Sequence, residues 1–250
     1  MPHFNSDGVD IAYHDEGTGD PVLLIHGFAS SRDVNWVGPG WVRTLLDAGY
    51  RVISFDHRGH GASGKPHDPV QYHSERMAED AARLLDHLGI ERADVIGYSM
   101  GARVGAYLTL LYPSKVRSLV MGGLGIHLVE GVGLPQSIAD AMDAPSLDDV
   151  SDPMGRMFRS FADANRQDLK ALAACIRGSR QVLSREEVGR IFQPVLVAVG
   201  TRDAVAGDPR PLVELLPDGE VLDIPNRDHN PAVGDKVFKQ GVLDFLRRRP

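Results

Sequence analysis

Short runs of consecutive apolar residues alternate along the chain with stretches whose apolar positions recur every three or four residues. The runs at 21–25 (Pro-Val-Leu-Leu-Ile), 51–55 (Arg-Val-Ile-Ser-Phe), 93–96, 116–122 and 195–199 read as strands, most of them too apolar to have a wet face. Between them, Trp41, Val42, Leu45 and Leu46 mark one helical face that stops at Gly49, and Met77, Ala81, Leu84, Leu85 and Leu88 mark another that stops at Gly89. Residues 99–112 read as a helix closed by Pro113, and 9–15 pairs with the preceding segment as a hairpin around Ser6-Asp7-Gly8. Phe238, Val242 and Phe245 line a last helix, where Arg247, Arg248 and Arg249 suit the negative end of the dipole and read as a solvated terminus. This alternation predicts βαβ units, and so an α/β protein.

The rhythm breaks between 124 and 193, where turn signals at Pro135, Pro145 and Pro153 separate short helical segments. Ser184-Arg185-Glu186-Glu187 has capping-box form, and Leu169, Leu172, Ala173 and Ile176 share one face. The expected division is therefore a core of 1–123 and 194–250, with 124–193 as a small helical lid. Phe28, Leu128, Met142, Met154 and Phe158, with Met157 and Phe161, are candidates for a substrate pocket, or else they pack the lid onto the sheet. Asp140, Asp143, Asp148, Asp149, Asp152 and Asp163 predict an acidic rim that weakly disfavours anionic substrates, most of its carboxylates being solvated surface.

Composition narrows the function classes. A chain of 250 residues is ordinary for one α/β domain. Its net charge of -7 argues against a nucleic-acid groove, which needs a basic stripe. No stretch reaches the roughly 18 apolar residues that span a bilayer, and residues 1–7 lack the basic and apolar regions of a secretory signal, so a cytoplasmic location is expected. The single cysteine, Cys175, has no intramolecular disulfide partner. No metal or other cofactor is expected, because paired cysteines and a His-Glu-x-x-His helix are missing from the sequence.

The chemistry starts at Gly97-Tyr98-Ser99-Met100-Gly101, which joins the apolar run at 93–96 to a helix and so sets one serine at a sharp strand-to-helix turn. Such a nucleophile needs an acid and then a histidine downstream. Only His127 and His229 follow Ser99. His127 comes directly after the run at 119–123, before any acid could intervene, which leaves His229 as the base. The strand at 195–199 runs into Gly200-Thr201-Arg202-Asp203, so Asp203 is the preferred acid over Asp223 and Asp228. Asp223 alternates with apolar neighbours like a solvent-face residue, and Asp228 is adjacent in sequence to the histidine it would have to orient. Backbone amides of Phe28, at the end of the early strand, and of Met100 are the expected oxyanion donors.

HGF at 26–28, DHRGHGAS at 56–63, GYSMG at 97–101, GTRD at 200–203 and RDH at 227–229 together resemble the α/β-hydrolase superfamily, in its order and spacing and over nearly the whole chain. That resemblance implies a mostly parallel sheet of about eight strands flanked by helices, a Ser-Asp-His triad and a lid after the sixth strand. The 56–63 loop then braces the top of the sheet, and His26 buttresses the oxyanion loop. Serine at the elbow, where epoxide- and halide-displacing members carry aspartate, favours a carboxylesterase-like serine hydrolase using a small ester and water. A lactonase, carbon–carbon bond hydrolase or perhydrolase would use the same residues, and a small-molecule receptor with a vestigial site is the reading from another class. Monomer and homodimer both remain open.

Overall fold

Among the residues described by the computed structural model, 1–131 and 135–249, the apolar runs form β3 (Pro21–Ile25), β4 (Arg51–Phe55), β5 (Ala93–Tyr98), β6 (Val116–Gly122) and β7 (Val195–Gly200). A hairpin, β1 (His3–Ser6) and β2 (Val9–Glu16), extends one edge, and β8 (Gly219–Ile224) closes the other. The order is β1-β2-β4-β3-β5-β6-β7-β8. Only β2 runs against its neighbours, and β4 through β8 pair in parallel. This is the eight-stranded, mostly parallel sheet that the motifs imply.

Strand alternation divides the interior in two. Leu23, Ile25, Ile53, Phe55, Val95, Leu119, Met121, Val195 and Val197 point to one face, where they meet α2 (Ser74–His87) and α3 (Met100–Leu111). Val22, Leu24, Val52, Ile96, Val120, Leu196 and Ala198 point to the other, against α1 (Trp41–Asp47) and α11 (Lys236–Arg248). With both faces covered, the central strands have no solvent side to mark with alternating polar residues, which is why they read as mainly apolar runs.

Between β6 and β7 the chain forms α4 (His127–Glu130), α5 (Gln136–Asp143), α6 (Pro153–Ala164), α7 (Leu169–Gly178) and α8 (Arg185–Val188). Helix α5 packs on both α6 and α7, and α7 packs on the turn at Pro69–Tyr72 of the core. The capping box at α8 forms as its sequence predicts, Ser184 and Glu187 exchanging side-chain to backbone hydrogen bonds. After β7 come α9 (Arg210–Val213) and, beyond β8, α10 (His229–Ala232).

The arginine run at the end of α11 is only partly solvated. Arg247 and Arg248 are exposed, but the side chain of Arg249 is 10% exposed and donates to the buried carboxylate of Asp94 at 2.6 Å. An ion pair under the sheet, rather than the dipole alone, fixes the last turn. Among the described residues no helix is long and apolar enough to cross a membrane.

At the end of β5 the chain turns so tightly that Ser99 takes φ 54° and ψ −115°. A Cβ on Gly97 would lie 2.3 Å from the Gly101 carbonyl oxygen, and one on Gly101 would lie 2.0 Å from that of Ile25 in β3. Both neighbours are backbone, so neither can rotate away. Gly101→Ala is therefore expected to cost about 3 kcal/mol or more by forcing β3 and α3 apart. A denaturant titration checks this, and a midpoint equal to the parent's would contradict the close approach.

Candidate active site

Ligand sites in open parallel sheets form beyond the carboxyl ends of the strands, and four such ends converge here. Strand β5 delivers Ser99, β3 delivers the 26–28 loop beside it, β7 delivers Asp203 and β8 delivers His229. The Ser99 Oγ lies 3.0 Å from His229 Nε2, and His229 Nδ1 lies 2.7 Å from Asp203 Oδ2. The Asp203 side chain is wholly buried and that of His229 is 9% exposed. Because Asp203 Oδ2 can only accept, His229 carries its proton on Nδ1, leaving Nε2 to accept from the serine hydroxyl.

The rival acids lie elsewhere. Asp223 is exposed on β8 and pairs with Arg210 at 2.6 Å; Asp228 is exposed at the start of α10. His127, the other downstream histidine, turns its Nδ1 to the Val205 carbonyl at 2.8 Å. The loop that it touches holds the acid: Asp203 Oδ1 accepts from the amides of Val205 at 2.8 Å and Ala206 at 3.0 Å. Gly125 and Ile126 donate to the carbonyls of Ala206 and Asp208, so the root of the helical insertion is laced to that loop.

The two amides expected to hold an oxyanion stand on either side of Ser99. Met100 opens α3, and Phe28 follows Gly27, whose would-be Cβ lies 3.4 Å from that of Ser99. Among the described residues neither N–H has a hydrogen-bond acceptor, as a site for a developing charge requires.

Behind the 26–28 loop, His57 N–H donates to His26 Nε2 at 3.0 Å, and His26 Nδ1–H then donates to the Gly27 carbonyl at 2.7 Å. His26 thus fixes the loop and has no free nitrogen for proton transfer. Asp56 accepts from the amides of Arg32 and Ala62, and Arg58 forms a fully buried pair with Asp80. The 56–63 segment braces the sheet top as expected. Among the described residues no cluster of three metal-ligating side chains occurs.

The histidines of this brace predict acid sensitivity. Burial lowers His26 to about 4 and His60 to about 3, and pushes His57, whose two ring nitrogens have no hydrogen-bond partner, well below 6.5. The stability these neutral rings confer is complete above about pH 6.5 and is lost as pH falls towards the folded-state values, because the unfolded chain takes up protons that the native state refuses. Each ring contributes a slope of about 1.4 kcal/mol per pH unit in that window. Urea midpoints should fall steeply from pH 6.5 to 4.5, and His57→Phe should flatten the slope. A flat profile would contradict it.

Several residues of the site have no motif of their own. Asn35 Oδ1 accepts from Gly27 N–H at 2.9 Å and so fixes the loop from the other side. Tyr98, a free position within the elbow pattern, packs its ring on His229 and donates its hydroxyl to the His229 carbonyl. Arg103, one helical turn beyond Ser99, donates to the carbonyls of His127, Leu128 and Gln181. Its signal in the sequence is a cation amid the otherwise apolar first half of α3.

Two cavities meet at Ser99. One, of about 220 Å³, is bordered by Phe28, Asn35, Phe158, Phe161 and His229; the other, of about 70 Å³, by Met100, Arg103, Ile176, Ser179, Arg180 and Val205. Phe28 and Phe158 of the expected pocket are therefore in place. Leu128, Met142 and Met154 border neither cavity: the first two are 0% and 2% exposed within the core, and Met154 packs against it, in the apolar cluster that the insertion helices share with the core. The expected acidic rim is corrected too. Asp140 and Asp143 face Arg177, Asp149 and Asp152 cap helices, Asp163 pairs with Arg159, and the charged side chains at the cavities are arginines.

The sequence pattern of the alpha/beta hydrolase fold family matches residues 20–182. The chain belongs to that family. Among alpha/beta hydrolase relatives, the non-heme chloroperoxidase CPO-A1 of Kitasatospora aureofaciens is 28% identical, the match covering 97% of this chain and 98% of that protein. A Synechocystis protein provisionally named a non-heme chloroperoxidase is 34% identical over 163 residues, 63% of this chain but 57% of its own length. The solved enol-lactonase of Burkholderia xenovorans LB400 superposes with a TM-score of 0.80 at 21% identity, covering 99% of this chain and 100% of that one, a likeness of fold.

Proposed function

We propose that the protein is a serine hydrolase that cleaves carboxylic esters of small, mostly apolar substrates through an acyl-enzyme. The observation that carries this reading is the unbroken line Ser99 Oγ, His229 Nε2, His229 Nδ1 and Asp203 Oδ2, at 3.0 and 2.7 Å, beside two amides with no acceptor among the described residues. Ser99 attacks the ester carbonyl while His229 takes its proton, and the amides of Phe28 and Met100 stabilise the oxyanion, each by about 3 kcal/mol in the transition state. His229 then passes the proton to the leaving alcohol and draws one from water to release the acid, while Asp203 orients the ring and stabilises its cation without accepting the proton. The helical insertion serves as the lid.

Incubation with a fluorophosphonate tests it. One adduct per chain, mapped by mass spectrometry to Ser99 and accompanied by a p-nitrophenol burst from p-nitrophenyl acetate, is expected. An unmodified Ser99 would reject the reading.

The name of the relative matched over 97% of this chain favours a second reaction on the same acyl-enzyme. Hydrogen peroxide in place of water would break the acyl to Oγ bond and form a peracid, the peroxide proton returning to Ser99 through His229. Peracid formation that displaces free acid as peroxide is raised would select it.

A further inference from the structure

Among the described residues, the cavity on the Met100 side of Ser99 is bordered by two cationic side chains and no anionic one. Arg103 lies one helical turn from Ser99, close enough that its own amide donates to the Ser99 carbonyl. Among the described residues no carboxylate comes within ion-pair distance of Arg103 or Arg180, and neither Val132-Gly133-Leu134 nor Pro250 has an acidic side chain. Three of the five guanidinium N–H groups of Arg103 go to backbone carbonyls, which leaves the Nε–H and one Nη2–H for an acceptor in the cavity. Arg180 is exposed at the cavity rim and makes no hydrogen bond among the described residues. A half-buried guanidinium held in place without a counter-ion is costly, and its burial lowers the affinity for its proton. An anion entering from the cavity would remove that cost.

The position of the base decides which half of the substrate bears the anion. His229 borders the aromatic cavity with Phe28, Phe158 and Phe161, and does not border the arginine cavity. The leaving oxygen must face His229 to receive its proton, so the alcohol departs through the aromatic side and the acyl group occupies the arginine side. That side holds about 70 Å³, and Arg103 is a single turn away, so the acyl chain is short.

We propose that the substrates are half-esters of short dicarboxylic acids with an aromatic or bulky apolar alcohol, the free carboxylate held by Arg103 and Arg180. This rests on the serine hydrolase reading and names the substrate class for it. Ser99 Oγ bonds to the ester carbonyl carbon, the carbon to alkoxy oxygen bond breaks, and His229 protonates the departing alcohol. Water then releases the dicarboxylate.

The test compares benzyl hydrogen succinate with benzyl succinamate, which replaces the carboxylate by a neutral amide of the same shape, with release of benzyl alcohol as the readout. At low salt the hemisuccinate is expected to have a kcat/KM about 10-fold higher, the ratio narrowing as salt screens the arginines. Arg180→Gln should cut that ratio about fivefold. This variant is preferred to one at Arg103, whose side chain also holds the insertion through three carbonyls. A ratio near or below one, or a ratio that Arg180→Gln leaves unmoved, would overturn the proposal. Fluorophosphonate labelling separates the two levels: an enzyme labelled at Ser99 that cleaves neither ester refutes the substrate class alone, whereas failure to label removes the hydrolase reading beneath it.

Discussion

Ser99→Ala is expected to lower kcat on p-nitrophenyl acetate by about 10⁴-fold or more while the protein remains folded. The reason is geometric. Only the hydroxyl at the head of α3 is in line with His229 Nε2, at 3.0 Å, and beside the amides of Phe28 and Met100. Water admitted in its place has no covalent tie to the elbow and loses the advantage of a positioned nucleophile. The oxyanion amides belong to the backbone and survive the substitution, so a residual rate above solution hydrolysis should persist. The variant should melt with the parent, since the alanine retains the Cβ and the buried helix behind it is untouched. Full turnover in Ser99→Ala would place the chemistry elsewhere.

Asp203→Asn is the second large effect, and hydrogen bonding gives its direction. Asp203 Oδ1 accepts two loop amides, from Val205 and Ala206, and Oδ2 accepts from His229. In the asparagine variant the single carbonyl oxygen stays with the two amides, because turning it would set an NH₂ group against two N–H donors. The NH₂ group therefore faces His229 Nδ1, which must then accept. The ring moves its proton to Nε2, where it points at the Ser99 hydroxyl and can no longer take a proton from it. A fall in kcat of about 10⁴-fold is expected, with a loss of stability near 1 kcal/mol. Stopped-flow kinetics alongside thermal unfolding separate the two quantities. A modest kinetic loss, with Asp223 or Asp228 proving essential instead, would contradict the assignment.

The parts legible in the sequence were those fixed by local constraint. The runs at 21–25 and 116–122 name β3 and β6 to the residue, because strands buried on both faces are apolar along most of their length. Ser99, Asp203 and His229 could be picked out singly because each follows a strand at a place where the chain leaves the sheet. The pocket was much less legible. Leu128, Met142 and Phe158 are alike in composition, yet only Phe158 reaches a cavity, since the packing of the insertion helices on one another decides which face turns inward. Asn35 and Tyr98 act through the backbone of partners 8 and 131 residues away, and no local pattern encodes such a pairing. The charge of the site was misread from the acidic composition of the insertion, because the aspartates serve nearby caps and ion pairs while Arg103 reaches the cavity from α3.

The bonds from Gly125, Ile126 and His127 to the acid-bearing loop bear on how molecules get in and out. A covering segment that swung about its first residues would drag Asp203 away from the imidazole each time it opened, and the enzyme would be disarmed at the moment of filling. With that end pinned, the doorway belongs away from it, beside α6, which carries Phe161 at the edge of the aromatic cavity. Traffic there leaves the proton path undisturbed, so the rate of passage and the power of the chemistry can be altered by separate substitutions.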